Sequence, residues 1–233
     1  MISLEIDGQP VRAEPGQTIL EAAKAAGIHI PTLCYLEGLS PRGSCRLCLV
    51  EIKNWNGKLV PACATEVQEG MQVVANSERL RNLRRTILEL LFAERNHICS
   101  ICVSNGHCEL QDLACELGME SVRFPYRFPG LSLDASHERY LIDHNRCVLC
   151  GRCVRACSEV EGAMTWGFAG RGIFTLVEPD LGGPWGASET CTACGKCVQA
   201  CPTGAIVERG KATAEQEKNP EVLAEITERR PRV

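Results

Sequence analysis

Two stretches of the chain repeat a cysteine pattern whose spacing suits metal. Cys147-Val148-Leu149-Cys150-Gly151-Arg152-Cys153-Val154-Arg155-Ala156-Cys157 returns 44 residues later as Cys191-Thr192-Ala193-Cys194-Gly195-Lys196-Cys197-Val198-Gln199-Ala200-Cys201, with seven of eleven positions identical. Each copy reads C-x2-C-x2-C-x3-C, and Pro202 follows the second. Three thiolates two residues apart can wrap one face of a cube and take three iron corners. A fourth, three residues on in a helical stretch, turns away and ligates a second cluster. The spacing therefore assigns Cys147, Cys150, Cys153 and Cys201 to one [4Fe–4S] cubane, and Cys191, Cys194, Cys197 and Cys157 to its partner. Zinc also takes four thiolates, but its structural sites usually present two separated C-x2-C pairs rather than triplets. A disulfide framework fits poorly as well. Sixteen cysteines are spread over 233 residues, and Met1-Ile2-Ser3-Leu4-Glu5-Ile6-Asp7 has acids where a secretory start has bases and an apolar run. The cysteines read as metal ligands in a reducing, cytoplasmic compartment.

Two further groups lie upstream. Cys34, Cys45, Cys48 and Cys63 are spaced C-x10-C-x2-C-x14-C, an arrangement that resembles the layout of [2Fe–2S] ferredoxins. There a long loop, here containing Gly38 and Gly43, bends its backbone around the cluster and turns amide hydrogens toward the sulfurs. Four-thiolate zinc is the alternative for this set. The second group, Asn96-His97-Ile98-Cys99-Ser100-Ile101-Cys102-Val103-Ser104-Asn105-Gly106-His107-Cys108, supplies three thiolates of a third [4Fe–4S] site, Cys99, Cys102 and Cys108. His97, two residues before the first cysteine, is the favoured fourth ligand, and Cys115 and His107 are its rivals. Cys115 is the one thiol left once the other groups are filled, and it reads equally well as a small buried hydrophobe on a helix.

The elements that must hold these residues follow from periodicity. Ile2, Leu4 and Ile6 alternate with polar residues, Asp7-Gly8 makes a turn, and a second strand near Val11 ends at Glu14-Pro15-Gly16. Thr18 and Glu21 form a capping box over Ile19, Ala22, Ala23 and Ala26, with Gly27 as the stop. Two strands and a helix packed across them predict a β-grasp. Ser77 caps a helix with Leu80, Leu83, Ile87, Leu90 and Leu91 on its apolar face and Arg79, Arg81, Arg84, Arg85 and Arg95 on the other, a solvated or partner-gripping face. Arg123-Phe124-Pro125-Tyr126-Arg127-Phe128-Pro129 is broken by proline and predicts an extended strap packed between two cluster domains. Residues 158–190, with Trp166 and Trp185, predict an ordered, surface-facing insertion. Pro220 opens a short helix carrying Val222, Leu223 and Ile226, in a tail that docks on a partner or frays. The fold class is α+β. The domains read as 1–76 ([2Fe–2S] ferredoxin-like), 77–120 (a helix with the small helical His/Cys cluster domain), 121–137 (strap), 138–210 (bacterial two-[4Fe–4S] ferredoxin-like) and 211–233 (polar tail).

Composition narrows the function. A formal net charge of −4 gives no general attraction to nucleic acid or to an anionic membrane surface. No apolar run reaches spanning length. There is no G-x-G-x-x-G after a strand, no Walker loop, and no hydrolytic carboxylate pair or Ser-His-Asp order. Every strong motif points to an iron–sulfur cluster, so the chain reads as a line of one-electron carriers, one [2Fe–2S] and three [4Fe–4S]. A structural or regulatory cluster protein is the rival of another class, and the lack of a basic patch or DNA-binding motif argues against it.

The β-grasp with its four cysteines, the H-x-C-x2-C-x5-C stretch running into Glu109-Leu110-Gln111, and the paired cubane motifs resemble, in this order, the N-terminal part of the large iron–sulfur subunit of respiratory complex I and of iron-only hydrogenases. Leu91-Phe92-Ala93-Glu94 leading into Asn96-His97, together with the strap, is most similar to the small diaphorase subunit of NAD-reducing (bidirectional) nickel–iron hydrogenases. The resemblance covers about residues 1–205. The long first gap of the Cys34 group fits the variety found in respiratory dehydrogenases. Where complex I has its histidine four residues before the first cysteine, this chain has Arg95. The resemblance implies a soluble cytoplasmic complex in which a partner diaphorase subunit binds flavin and NAD, small and large hydrogenase subunits carry the nickel–iron site, and this non-catalytic subunit relays electrons between them. The equivalent subunit of an NAD-linked formate dehydrogenase or complex I-like enzyme is the alternative within electron transfer.

Overall fold

The computed structural model describes residues 1–211 and 215–228. They fall into two compact units, one of Met1–Tyr35 with Pro41–Leu88 and one of Leu36–Ser40 with Glu89–Val233.

In the first unit, β1 (Ile2–Ile6) and β2 (Gln9–Ala13) pair antiparallel, Leu4 opposite Val11, around the Asp7-Gly8 turn. Helix α1 (Ile19–Ala25) starts at the expected capping box: Glu21 N–H donates to Thr18 Oγ1 at 3.3 Å, and Thr18 N–H donates to Glu21 Oε2 at 2.8 Å. Strands β3 (Leu49–Ile52), β4 (Lys58–Pro61) and β5 (Gln72–Val74) complete a sheet of order β2-β1-β5-β3-β4. Only β1 and β5 run parallel, so the chain must cross the sheet between them, and the result is the predicted β-grasp. Ile6, Ile19, Val50 and Ile52 are wholly buried in its core. Each such side chain contributes about 1.5–3 kcal/mol of apolar burial.

Helix α2 (Glu78–Glu94) opens at Ser77, whose Oγ accepts from Leu80 N–H at 3.2 Å. Its inward stripe differs from the expected one. Leu80, Arg84 and Leu88, spaced i, i+4 and i+8, are buried, as are Glu89 and Ala93 toward its end, while Leu90 is 47 % exposed. Arg84 therefore faces the core rather than solvent, and its Nη2 donates to the carbonyls of Leu49 (2.7 Å) and Ala75 (2.8 Å). Arg95, just beyond the helix, is buried as well and donates to the carbonyls of His144 (3.1 Å) and Thr175 (2.8 Å). The five arginines do not share one exposed face, because two of them turn inward and donate to backbone carbonyls.

In the second unit, α3 (Glu109–Glu116) precedes the strap. The strap is extended apart from the two-residue strand β6 (Leu133–Asp134), which lies at the edge of the sheet β10-β7-β6. Arg123 pairs with buried Glu89 at 2.8 Å, and Arg127 N–H donates to Ala93 O, so the strap runs along the end of α2. Strand β7 (Tyr140–Asp143) leads into the first cubane motif and β10 (Ile206–Glu208) leaves the second, paired with Ile206 opposite Ile142. Helices α4 (Arg152–Arg155) and α5 (Lys196–Ala200) carry the third cysteine of each motif, and α4 continues as a π-helical turn, Ala156–Glu161.

The segment between the motifs is ordered as a hairpin, β8 (Trp166–Ala169) with β9 (Leu176–Pro179). It is not wholly surface-facing, since Trp166 and Trp185 are buried and pack edge to face at 4.8 Å. In the tail, α6 (Pro220–Glu228) docks within this unit. Ile226 is fully buried with Leu39, Ala156 and Ala200, and residues 229–233 lie outside the described set.

Replacing Arg84 with Leu leaves two carbonyls without their donors. Hydrogen bonds from charged groups are worth about 1.5–3 kcal/mol each, so the loss should reach about 3 kcal/mol even after apolar compensation. Denaturant midpoints of the cluster-loaded chain, compared with those of Arg81→Leu on the exposed face, measure it. Equal midpoints for the two variants would show that the carbonyls do not need Arg84.

Candidate iron–sulfur centres

The two repeated motifs share their backbone as well as their sequence. Leu149 and Ala193, in equivalent positions, have φ of 51° and 54°, and the equivalent glycines Gly151 and Gly195 have φ of 69° and 75°. Left-handed residues at the third and fifth positions turn the chain sharply, so that successive cysteines point toward one centre instead of alternating. The third cysteines, Cys153 and Cys197, are held on α4 and α5. The fourth ones cross over. One hollow is lined by Cys147, Cys150, Cys153 and Cys201, together with Ile142, Val177 and Ile206. The other is lined by Cys157, Cys191, Cys194 and Cys197, with Tyr140, Trp166 and Trp185.

Burial pushes the Cys147 thiol up to about 11 and the Cys150 thiol up to about 12. Cys153 lies well above its ordinary range, from burial first and neighbouring thiols next. These three thiols resist becoming thiolates unless a cationic centre sits among them, so the donor set they share with Cys201 fits a metal cluster. Among the described residues no three His, Cys, Asp or Glu side chains are set for a single metal ion. Donors standing around a hollow suit a body larger than one ion.

Backbone and side-chain donors reach the sulfurs. Leu149 N–H donates to Cys147 Sγ at 3.4 Å and Thr165 N–H to Cys157 Sγ at 3.3 Å. Trp185, 1 % exposed, stacked with Tyr140 and tilted against His137, donates its indole N–H to Cys191 Sγ at 3.3 Å. The cations near the cysteines are paired: Arg152 grips Glu109 through two bonds of 2.6 and 2.8 Å, and Lys196 meets Glu161 and Glu225 at 3.0 and 3.1 Å.

A third hollow, of about 340 Å³ with its mouth, is lined by Phe92, His97, Cys99, Cys102, Cys108, Leu110 and Arg146 among others. The favoured His97 is here, whereas its rivals Cys115 and His107 are not among the lining residues. Cys115 is exposed on α3, which corrects its reading as a buried hydrophobe. The His97 ring meets Phe92 edge to face at 5.3 Å, and its Nε2 is buried with no hydrogen-bond partner. Burial, with Arg146 and Arg95 nearby, lowers His97 to about 4, so its imidazole is neutral at neutral pH and keeps a lone pair. Burial also pushes Cys108 up to about 11.

In the first unit Cys34, Cys48 and Cys63 are buried and Cys45 is half-buried. Cys34 and Cys45 follow α1, and Cys63 follows β4, as the spacing required. Hydrogen bonds among the four thiols hold Cys34 below the usual thiol range and Cys48 at about 7, and push Cys45 and Cys63 up. Gly43, at φ 63°, allows the tight bend before Cys45.

Sequence reasoning missed Trp185, Arg146 and Arg152 as neighbours of the cysteines. Arg146 and Arg152 stand beside motif cysteines, where chain adjacency was the available signal. Trp185 had none, because no spacing rule says which indole turns inward.

Comparison with known proteins follows the same order along the chain. Residues 1–78 match the 2Fe-2S iron-sulfur cluster binding domain, residues 84–123 the NADH-ubiquinone oxidoreductase-G iron-sulfur binding region, and residues 146–205 the 4Fe-4S dicluster domain. The gamma subunit of the NAD-reducing hydrogenase HoxS of Cupriavidus necator is 37% identical over 180 residues, covering 77% of this chain and 76% of that one. The second G-type subunit of the NADH-quinone oxidoreductase of Rhizobium meliloti is 41% identical over 181 residues, which cover 76% of this chain but 21% of its own length. The alpha subunit of the NADPH-Fe(3+) oxidoreductase of Geobacter sulfurreducens is 37% identical over 189 residues, 79% of this chain and 22% of its own length. The chain thus spans about a fifth of these last two proteins. A solved structure of an NAD+-reducing [NiFe]-hydrogenase in the H2-reduced state superposes with a TM-score of 0.84 at 41% identity, over 91% of this chain and 88% of that chain.

The crossed cysteines generate a reciprocal expectation. Cys201→Ser should disturb metal held by Cys147, Cys150 and Cys153 and spare the site of Cys191, Cys194 and Cys197, and Cys157→Ser should do the reverse. Iron analysis and electron paramagnetic resonance of the two variants read this out. Damage confined to the motif that carries the mutation would disprove the crossing.

Proposed function

The chain belongs to the family of the HoxS gamma subunit of NAD-reducing hydrogenase, and we propose that it relays electrons between a flavin- and NAD-binding diaphorase subunit and a nickel–iron hydrogenase module. It is an electron-transfer subunit, with a [2Fe–2S] cluster and [4Fe–4S] clusters. Each cluster supplies a one-electron couple that needs no bond to be made or broken.

The observation that carries the reading is the gathering of four separate donor sets, one in the first unit and three in the second, two of these crossed. In our assignment Cys34, Cys45, Cys48 and Cys63 hold the [2Fe–2S] cluster. His97, Cys99, Cys102 and Cys108 hold one [4Fe–4S]; Cys147, Cys150, Cys153 and Cys201 a second; and Cys157, Cys191, Cys194 and Cys197 a third. The chain's own part is to hold and to shield. Ile142, Val177 and Ile206 keep water from one hollow, and Trp166 and Trp185 from another. Amide and indole N–H groups at Cys147, Cys157 and Cys191 spread the thiolate charge. His97 is favoured over Cys115 because its unpartnered Nε2 lies with the three cysteines of its hollow.

The likeness to the solved NAD+-reducing [NiFe]-hydrogenase chain, at 41% identity and a TM-score of 0.84 over 91% of this chain, favours the hydrogenase complex. Among the described residues no helix is long and apolar enough to cross a membrane. We place the complex in the cytoplasm.

Anaerobically purified chain should contain about fourteen iron and fourteen sulfide, from one two-iron and three four-iron clusters. Zinc with little sulfide would overturn the assignment. The chain alone should not reduce a dye with NADH, while the assembled complex should; activity in the flavin-free chain alone would refute a pure relay. His97→Cys should keep a cubane but lower its potential, since a thiolate adds charge that imidazole does not. Cys115→Ser should leave every cluster intact. Loss of a [4Fe–4S] signal in Cys115→Ser, with an unaltered potential in His97→Ala, would transfer the ligand role to Cys115.

A further inference from the structure

We propose that Arg146 is a positioning residue for the cluster assigned to His97, Cys99, Cys102 and Cys108, donating a charged hydrogen bond from Nη1 into that hollow and raising the potential of the cluster. The inference rests on the ligand assignment above and adds a residue that binds no iron.

Arg146 is fixed at both ends. Its Nε donates to Asp143 Oδ2 at 2.9 Å, and its carbonyl accepts from Thr203 Oγ1 at 2.8 Å. Asp143 is itself tied down, since its Oδ1 accepts from Asn145 N–H at 3.0 Å. With Nε and the backbone held, the rest of the guanidinium extends into the hollow that contains the three cysteines. Nη1 is buried there without an acceptor at hydrogen-bond geometry among the described residues, and the guanidinium lies beside the Cys102 thiol. The other lining residue with a buried, unpartnered polar atom is His97, through Nε2. The charge of Arg146 bears on His97, Cys99 and Cys102 alike.

The two nitrogens ask for different things. Neutral His97 Nε2 presents a lone pair and needs an electrophile, which an iron corner supplies. Arg146 Nη1 has hydrogens only and needs an acceptor, which a thiolate or a sulfide of the same cluster supplies. A cluster that has gained an electron is the more negative state, so a fixed cation and donor stabilise it more than the oxidised state, and the potential rises. The cations beside the other two cubane sites commit their terminal nitrogens elsewhere: both Arg152 Nη atoms bond Glu109, and Lys196 meets two carboxylates. Arg146 meets one carboxylate through Nε and keeps Nη1 for the hollow.

Potentiometric titration followed by electron paramagnetic resonance tests this on the full chain with its clusters loaded. The relevant signal is the one lost in Cys99→Ser. Arg146→Gln should keep the full iron and sulfide content and shift that signal to lower potential. Arg146→Lys, which retains the charge but not the fork, should shift it less. Asp143→Asn removes the counter-charge and should shift it upward. Opposite shifts from two residues bonded to one another are not the result of a loosened site, which would move both variants alike. An unchanged potential in Arg146→Gln, or a fall in Asp143→Asn, overturns the inference. If Arg146→Gln fails to hold the cluster, Asp143→Asn decides alone: a rise supports the role and no shift removes it. If the unmodified chain has no signal that Cys99→Ser abolishes, the ligand assignment itself is wrong, an outcome distinct from a signal that is present and does not move.

Discussion

The second unit depends on the exchange of one cysteine between two copies of the same motif. Each copy encloses its hollow on three sides with cysteines at the first, fourth and seventh positions, and each is completed by the last cysteine of the other copy. A motif alone is therefore an incomplete site. The antiparallel pairing of β7 with β10, one entering the first motif and one leaving the second, holds the two copies at the separation the exchange needs. The thiols pushed up by burial show what the arrangement costs without a cationic centre.

The same constraint explains why so much charge is buried next to the sulfurs. Arg152 and Lys196 occupy the same place in the two copies, one before the third cysteine, and each reaches a carboxylate outside its motif, Glu109 for one and Glu161 with Glu225 for the other. The cations are buried but Glu109 and Glu225 are largely exposed, so water screens these pairs and each contributes modestly. The pairs act as ties. Glu109 follows Cys108 directly, so the Arg152–Glu109 pair links the loop of one donor set to the helix of another. Glu225 lies on α6, so Lys196 links the second motif to the tail.

The cysteine sites were legible because the motif is local. Three donors and the left-handed turns that aim them lie within seven residues, and the repeat makes both copies visible at once. The β-grasp was legible for a similar reason, since Ile2, Leu4 and Ile6 alternate and Thr18 with Glu21 marks a helix start that the structure reproduces. What escaped was set by partners far along the chain. Arg84 looks solvated on a helical projection, yet it sits between Leu80 and Leu88 because Leu49 and Ala75 present carbonyls there. Trp185 reads as part of a surface insertion until Cys191 and Trp166 are seen against it. Cys115 reads as a small buried hydrophobe, and only its place on α3 shows that it is exposed.

The tail illustrates how polar composition misleads. Its polar residues suggest fraying, but Lys218 Nζ donates to the carbonyls of Val198 and Cys201, at 2.8 and 2.6 Å. These carbonyls lie at the end of α5, where the helix has no amide left to offer and where a cation is favoured. Asn219 accepts from the N–H groups of Glu221 and Val222 and starts α6, which brings Ile226 against Ala156 and Ala200. Those two alanines immediately precede Cys157 and Cys201, the exchanged cysteines. Their small side chains let α6 approach at the points where each motif gives its last donor to the other. The tail thus supports the exchange from behind, with one ammonium and one isoleucine in place of a longer apolar face.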